Sequence, residues 1–215
     1  MLATHYSDKR YEAGCDEAGR GCLAGPVYAA AVILPPDYCN TMLDDSKKLT
    51  ERQRNELRKQ IEADAIAWAV AAVDNDEIDQ MNILRASFHA MNKAVMQLTT
   101  QPEMLLIDGN RFVNETSIPY ACIVKGDGKY QSIAAASILA KTYRDDFMNE
   151  QHRLHPQYGW DKNKGYPTTK HYAAIEEYGI TNLHRRSYKL SRQTELVFDD
   201  SSEKTIVFEI IINTK

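Results

Sequence analysis

Long apolar runs are missing from this chain of 215 residues. No window approaches the roughly 20 consecutive apolar residues that a membrane-spanning helix needs. The opening segment MLATHYSDKR also lacks the apolar stretch of a secretory signal. From these absences we expect a protein that is not embedded in a membrane and that resides in the cytoplasm, a reducing compartment.

Cysteine is scarce, and the cysteines show no pairing pattern. The chain has four, at Cys15, Cys22, Cys39 and Cys122. No CxxC pair occurs and no histidines follow at zinc-finger spacing, so neither a disulfide framework nor a structural zinc site is expected. We interpret these residues as thiols that pack like small apolar side chains.

An excess of positive charge is absent as well, because the formal net charge is −4. A protein that coats nucleic acid through charge alone carries a surplus of lysine and arginine. The basic residues are instead concentrated late in the chain, at Lys170, Arg185, Arg186, Lys189 and Arg192. This distribution predicts a local basic patch beside an acidic tail.

Hydrophobic periodicity predicts strands that alternate with helices. Apolar runs predict strands over residues 13–17, 27–34, 65–73, 104–107 and 120–124. Spacing of three and four residues predicts helices over residues 50–63, 132–150 and 169–178, and a stripe from Ile78 to Leu98 predicts one that begins near Asn82. The pattern therefore predicts an α/β fold with helices packed on a sheet.

One domain accounts for most of the chain. We expect one globular domain over residues 1–197, with a helical C-terminal portion over about 150–197. Residues 198–215 form a tail of unknown structure, in which a polar segment precedes a β-branched run over 205–212.

Four carboxylates follow the ends of three predicted strands, at Asp16, Glu17, Asp108 and Asp127. Sheets of α/β proteins gather functional groups at such ends. A carboxylate cluster repels itself unless a cation neutralises it, and an all-oxygen set suits Mg²⁺ or Mn²⁺. Adjacent strand residues point to opposite faces, so Asp16 and Glu17 can share a metal region only where the strand ends or bends. Two such metals could activate a water molecule on a phosphodiester and stabilise the leaving oxygen.

A series of motifs in this chain closely resembles the ribonuclease HII family, in order and in spacing. The resemblance spans about residues 11–192 and rests on GCDEAGRGCLAGPV at 14–27, DSKKL at 45–49, IDG at 107–109, KGD at 125–127, AASILAK at 135–141, YRD at 143–145, GYPT at 165–168 and HRRS at 184–187. It implies a ribonuclease H-like α/β fold with a mixed β-sheet flanked by helices and a C-terminal helical portion.

The resemblance also implies an activity. A member of this family hydrolyses the RNA strand of RNA/DNA hybrids and cuts 5′ to ribonucleotides embedded in duplex DNA, leaving 3′-hydroxyl and 5′-phosphate ends by two-metal-ion catalysis with Mn²⁺ or Mg²⁺. The family's metal-binding catalytic carboxylates correspond to Asp16, Glu17, Asp108 and Asp127. The implied partners are RNA/DNA hybrids and ribonucleotide-containing duplexes, bound by a monomer. No motif supports a sliding-clamp contact through the tail.

Substrate-binding residues follow from the same resemblance. The turn that senses the ribose 2′-hydroxyl corresponds to Gly19, Arg20 and Gly21, and the tyrosine that stacks on the neighbouring sugar corresponds to Tyr166. Glycines allow a close backbone approach, and a 2′-hydroxyl both donates and accepts hydrogen bonds. Phosphate contacts are expected from Lys47, Lys48, Lys141, Arg185 and Arg186.

Several alternatives remain open on the sequence. Asp145 competes with Asp127 as the fourth carboxylate, although we expect it to be structural and paired with Arg144. The sister family, ribonuclease HIII, carries an extra N-terminal domain and replaces the turn arginine, whereas Arg20 is present here and the first strand begins early. A non-catalytic nucleic-acid-binding module would have lost a carboxylate, and another two-metal nuclease, such as a resolvase, would not explain the ribose-sensing turn.

Overall fold

The computed structural model describes residues 2–191, which form one five-stranded sheet with helices on both faces. The strands are β1 (Glu12–Ala18), β2 (Val27–Ile33), β3 (Ala67–Val73), β4 (Met104–Asp108) and β5 (Tyr120–Ile123). Their order in the sheet is β3-β2-β1-β4-β5. Strands β1, β2 and β3 pair antiparallel, whereas β4 pairs parallel with both β1 and β5. The predicted α/β class with a mixed sheet is confirmed.

Helices connect and cover the strands. They are α1 (Glu51–Asp64), α2 (Asn75–Met81), α3 (Ile83–Met96), α4 (Gln131–Leu154), α5 (Trp160–Asn163) and α6 (Thr169–Tyr178). Helix α1 begins with the capping box expected of Thr50 and Gln53, because each side chain bonds the other's backbone amide. Helices α5 and α6 belong to the helical C-terminal portion.

The apolar stripe from Ile78 to Leu98 is divided between two helices. Asn82, with a φ of 71°, lies between α2 and α3 as the C-cap of the first and the N-cap of the second. Its side-chain oxygen accepts hydrogen bonds from the amides of Leu84 and Arg85, as an N-cap does. The predicted helix therefore begins where expected, and the preceding residues form a separate short helix.

The core lies on both faces of the sheet. On one face, Cys15 and Ala31 pack against α3 through Phe88 and Met91. On the other face, α1 and α4 cover the sheet. Helix α4 packs directly on β1 because residue 14 is glycine, where a Cβ atom would overlap the backbone of α4.

Within residues 2–191, no helix is both long and apolar enough to cross a bilayer. Cys15 and Cys22 are buried and Cys122 is half-buried, as expected for cysteines that pack like small apolar residues, whereas Cys39 is exposed and does not fit that expectation. The expected domain boundary at residue 197 and the β-branched run in the tail lie outside the described residues.

Candidate active site

The parallel pairing of β1 with β4 brings two predicted catalytic carboxylates to one edge of the sheet. The register aligns Cys15 with Ile107. The next residues along the two strands, Asp16 and Asp108, are therefore neighbours. Both lie toward the carboxyl ends of their strands, where α/β folds collect functional groups.

Asp16 is buried on the face covered by α4. The Ser137 hydroxyl of α4 and the Glu17 amide, 2.7 Å from Oδ1, both donate to its carboxylate. Burial, followed by the negative charges of Glu17 and Asp108, nevertheless raises the pKa of Asp16 well above its usual range. A carboxylate in this environment is stabilised strongly by a nearby cation.

Glu17 comes next, just before β1 ends at Ala18. Its Oε1 accepts a hydrogen bond from Arg20 Nη1 at 3.0 Å. Burial raises the pKa of Glu17, Arg20 opposes that rise, and Asp108 adds to it. Asp16 and Glu17 therefore both interact with Asp108, and the expected bend follows them at Gly19, whose φ is 99°.

Asp108 and Asp127 are connected through a 3-10 turn over Gly126–Gly128. Asp108 Oδ1 accepts a hydrogen bond from the Gly126 amide at 2.7 Å. Burial raises the pKa of Asp108 against the effect of that amide, and the charge of Asp127 raises it further. Strand β4 ends on Asp108 as predicted, whereas β5 ends at Ile123 and the buried Asp127 follows it in the turn.

Lys47 supplies a positive charge to this group. Its Nζ lies 3.6 Å from Asp127 Oδ2 and 3.7 Å from Asp45 Oδ1, on a side chain that is 79% exposed. Partial burial alone would lower the pKa of Lys47, but Asp45 and Asp127, with Asp16 and Asp108, raise it. The lysine therefore lies at the carboxylates, although the sequence predicts only a phosphate contact for it.

The donor set has the chemistry that a hard divalent cation requires. Asp16, Glu17, Asp108 and Asp127 offer only oxygen, and the carboxylates repel one another. Within residues 2–191, however, no three acidic, histidine or cysteine side chains are close enough together to form a complete metal-binding group. The residues thus fit Mg²⁺ or Mn²⁺ by ligand type and charge rather than as a preformed cage.

An open cleft of about 550 Å³ lies beside Asp108 and Asp127, two of the four carboxylates. It is lined by Lys47, Lys48, Lys125, Lys129, Gly128, Asp45, Asp108 and Asp127. Lys125 and Lys129 are functional candidates that the sequence reasoning missed. Their position on either side of the Gly126-Asp127-Gly128 turn is the signal that could have identified them.

The turn after β1 packs against two buried arginines, Arg144 and Arg185. A Cβ atom at Gly19 would overlap Arg144 Nε, so only glycine fits there. Arg144 donates to the carbonyls of Ala24, Pro26 and Lys164 at 2.8–3.1 Å. Gly19 is buried, whereas Arg20 and Gly21 are exposed and accessible to a ligand.

Tyr166 lies beside this turn with 40% of its surface exposed. A Cβ atom at Gly21 would lie 3.9 Å from the Tyr166 ring, so the two predicted substrate-binding elements are neighbours. The Tyr166 carbonyl accepts a hydrogen bond from His171 Nδ1 at 3.0 Å. Burial raises the pKa of the Tyr166 hydroxyl, so the ring is neutral at ordinary pH.

Asp145 is buried, and its hydrogen bonds go to a lysine of its own helix, α4. Its two oxygens accept hydrogen bonds from Lys141 Nζ at 2.5 and 2.7 Å. The expected pairing of Asp145 with Arg144 is therefore wrong, because Arg144 is turned toward backbone carbonyls instead. Lys141, expected at a phosphate, is bound to Asp145.

Arg185 and Arg186 have opposite environments. Arg186 is exposed, as a phosphate contact requires. Arg185 is 0% exposed, and its guanidinium donates to the carbonyls of Gly19, Arg20 and Gly25. The surface phosphate contact expected of Arg185 does not agree with this placement, because a phosphate cannot reach a side chain enclosed by backbone.

Comparison with known proteins places this arrangement in a family. The family model described as Ribonuclease HII matches residues 13–191. Ribonuclease HII of Bacteroides thetaiotaomicron is 62% identical over 190 residues, which cover 88% of this chain and 95% of that protein.

Solved structures agree with the sequence comparison. The RNase HII of Archaeoglobus fulgidus, solved in complex with PCNA, is 25% identical, with a TM-score of 0.72 over 86% of this chain and 98% of that one. An RNase HIII described as Bst-RNase HIII in complex with Mn²⁺ shares the fold alone, at 19% identity and a TM-score of 0.66 over 85% of this chain and 68% of that one. Because the family model matches most of the chain and the Bacteroides thetaiotaomicron protein is 62% identical, the chain belongs to the ribonuclease HII family.

Proposed function

We propose that this chain cuts duplex DNA on the 5′ side of an embedded ribonucleotide, leaving 3′-hydroxyl and 5′-phosphate ends, with Asp16, Glu17, Asp108 and Asp127 as its metal-binding catalytic residues. Ribonuclease HII activity, the cleavage of RNA in RNA/DNA hybrids and at embedded ribonucleotides, follows from the family. The main support for the site is that Asp16 and Asp108 lie side by side near the carboxyl ends of adjacent parallel strands, close to the Gly19 turn.

The carboxylates would hold Mg²⁺ or Mn²⁺. When bound, such ions activate a water molecule and stabilise the leaving oxygen of a phosphodiester. The chain's own contribution is to fix the carboxylates, through the Ser137 hydroxyl on Asp16 and the Gly126 amide on Asp108. The solved complex of Bst-RNase HIII with Mn²⁺ supports Mn²⁺ as one of the two candidate ions.

Substrate recognition would use three surfaces around the carboxylates. The exposed Arg20 and Gly21 offer backbone groups to a ribose 2′-hydroxyl, which a deoxyribose lacks. The Tyr166 ring, beside the turn, would pack on the adjacent sugar. The cleft lysines, Lys47, Lys125 and Lys129, would contact phosphates, which position a duplex without reading its bases.

The partner that we assign to this chain is the nucleic-acid duplex, bound by a monomer. The complex with PCNA is a property of the Archaeoglobus fulgidus protein. In this chain the tail considered for a clamp contact lies outside the described residues.

Cleavage of a labelled duplex with one ribonucleotide tests this function. We expect a single cut on the 5′ side of the ribonucleotide with Mg²⁺ or Mn²⁺, and no cut with chelator. The matched control is the same duplex made entirely of DNA, which should stay intact. Cleavage of that control would point to a general two-metal nuclease, and cleavage of long hybrids alone would contradict the embedded-ribonucleotide assignment.

A further inference from the structure

Arg185 is a fully buried cation whose guanidinium donates to three backbone carbonyls, two of them in the turn after β1. Its Nη2 donates to the Gly19 carbonyl at 2.8 Å, its Nη1 to the Arg20 carbonyl at 2.9 Å, and its Nε to the Gly25 carbonyl at 2.9 Å. A buried charge is costly unless it is fully hydrogen-bonded, so these three carbonyls must stay turned toward the guanidinium.

This inward orientation has a consequence for the outer side of the turn. In a trans peptide the C=O and the following N–H point in opposite directions. When the carbonyls of Gly19 and Arg20 point toward Arg185, the amides of Arg20 and Gly21 point away from it. Arg20 and Gly21 are exposed, so their amides face the surface that a sugar can approach.

Arg185 is itself fixed from three sides. Its backbone amide donates to the Leu23 carbonyl at 2.8 Å. The Asp79 carboxylate of α2 accepts hydrogen bonds from the amides of Arg186 and Ser187 at 2.8 and 3.0 Å. These bonds fix the loop just after Arg185. The Tyr188 hydroxyl lies 3.1 Å from Arg185 Nη1 and donates to the Arg20 carbonyl at 2.7 Å.

We propose that Arg185 is a positioning residue for sugar selection: it fixes the peptide planes of the Gly19-Arg20-Gly21 turn so that the amides of Arg20 and Gly21 meet a ribose 2′-hydroxyl. The side chain acts through the backbone and does not touch the nucleic acid. This inference rests on the proposed function, in which that turn distinguishes ribose from deoxyribose. Tyr188 assists through the same Arg20 carbonyl.

A purely structural role for Arg185 makes a different prediction. An arginine that only stabilises the fold would, when replaced, weaken all duplex binding in parallel or lower the melting temperature. An arginine that orients the turn would weaken binding to the ribonucleotide-containing duplex more than binding to DNA. The ratio of the two dissociation constants therefore separates the roles.

The experiment measures that ratio in the Asp16→Asn background with Mg²⁺, on one duplex with a single ribonucleotide and on its all-DNA counterpart. Arg185→Lys keeps the charge but cannot reach three carbonyls at once. We expect it to reduce the preference for the ribonucleotide duplex about tenfold, as expected for losing hydrogen bonds made by a charged group. Affinity for the all-DNA duplex should stay within about twofold.

Two further variants complete the design. Tyr188→Phe removes one hydroxyl and keeps the ring, so it should reduce the preference in the same direction by about threefold. Because this substitution removes a single oxygen atom, the variant should fold, and it tests the proposal even if Arg185→Lys does not fold. Arg58→Met removes an arginine bound to Glu62 and Asp146 on α1 and α4, and should leave the preference unchanged.

The outcomes separate cleanly. A preference that is unchanged in folded Arg185→Lys and Tyr188→Phe proteins, or a parallel loss on both duplexes, would overturn the positioning role while leaving the proposed function intact. If the Asp16→Asn protein with Arg185 and Tyr188 intact shows no preference at all, ribose recognition at the turn itself fails, and this inference fails with it.

Discussion

At the scale of single residues, the candidate active site is a group of acidic side chains, of which Asp16 and Asp127 are buried and Glu17 and Asp108 are half-buried. The pKa values of Asp16, Glu17 and Asp108 are all raised, chiefly by burial. Lys47 is the positive group nearest to Asp127 in the described ion pairs. The affinity of such a site for a divalent cation depends on the number of its carboxylates, so the loss of one negative charge should weaken metal binding strongly.

We expect Asp16→Asn to lower the single-turnover cleavage rate by about a thousandfold or more. The substitution removes a carboxylate ligand from the metal ions that would stabilise the charge of the transition state. Duplex binding, measured by fluorescence anisotropy, should change less than about threefold. Retention of full activity with Mg²⁺ or Mn²⁺ would show that Asp16 is not a metal ligand.

The competing carboxylates can be separated in the same assay. Asp127→Asn should lower the rate about a hundredfold or more, since Asp127 lies in the cleft with Asp108. Asp145→Asn should reduce it by less than about tenfold, because Asp145 is bound to Lys141. The reverse order of effects would assign the fourth ligand to Asp145.

At the scale of elements, the turn after β1 is defined by close packing. Gly19 has a φ of 99°, and a side chain there would overlap the Arg144 guanidinium. Its carbonyl is at the same time bound to Arg185. The turn therefore cannot shift without breaking contacts to both arginines, and its geometry depends on residue 19 being glycine.

We expect Gly19→Ala to reduce kcat/KM on the single-ribonucleotide duplex by about a hundredfold and to destabilise the fold by about 2 kcal/mol. Gly179→Ala is the matched control, because Gly179 also has a positive φ, 77°, but no atom lies within 4 Å of a Cβ placed there. Equal losses of activity in the two variants would mean that backbone strain alone, not the contact with Arg144, explains the effect.

At the scale of the whole molecule, two buried histidines connect the elements of the C-terminal helical portion. His171 Nε2 accepts from Trp160 Nε1 at 3.0 Å and lies 3.3 Å from His184 Nε2. The Thr181 amide donates to His184 Nδ1 at 2.9 Å. Burial, with the neighbouring His171 and His155, lowers the pKa of His184 to about 4, and burial lowers that of His171 as well.

These shifts give the stability of the fold a defined pH dependence. A histidine with a lowered pKa is neutral in the folded state, so the unfolded chain binds more protons between about pH 6.5 and pH 4. The stabilisation is complete above about pH 6.5 and is lost as the pH falls toward 4. We expect the free energy of unfolding to decrease over this range by up to about 1.4 kcal/mol per pH unit for each histidine.

Urea denaturation at a series of pH values measures this slope. His184→Asn, which keeps an acceptor for the Thr181 amide, should reduce the slope between pH 6.5 and 4. His5→Asn, at an exposed histidine, serves as the control and should leave the decrease in place. A slope that is identical in the His184→Asn protein would show that His184 is not the titrating group.

The sequence by itself determined the features that depend on neighbouring residues. Strand ends, the capping box at Thr50 and the bend after Glu17 are encoded within short segments, because hydrophobic periodicity, caps and glycine turns act over a few residues. The ends of the strands led to Asp16 and Asp108, and the contiguous motifs led to the family that the comparisons confirm.

Only the tertiary structure decided which long side chains meet. Arg185 is far along the chain from the Gly19 carbonyl that it binds, and Lys47 is also distant in sequence from Asp127. A sequence gives the charge of an arginine or lysine but not which backbone or carboxylate will surround it, since long flexible side chains take the partners that packing supplies. For that reason Arg185 was predicted at the surface, and the fold placed it beneath the turn.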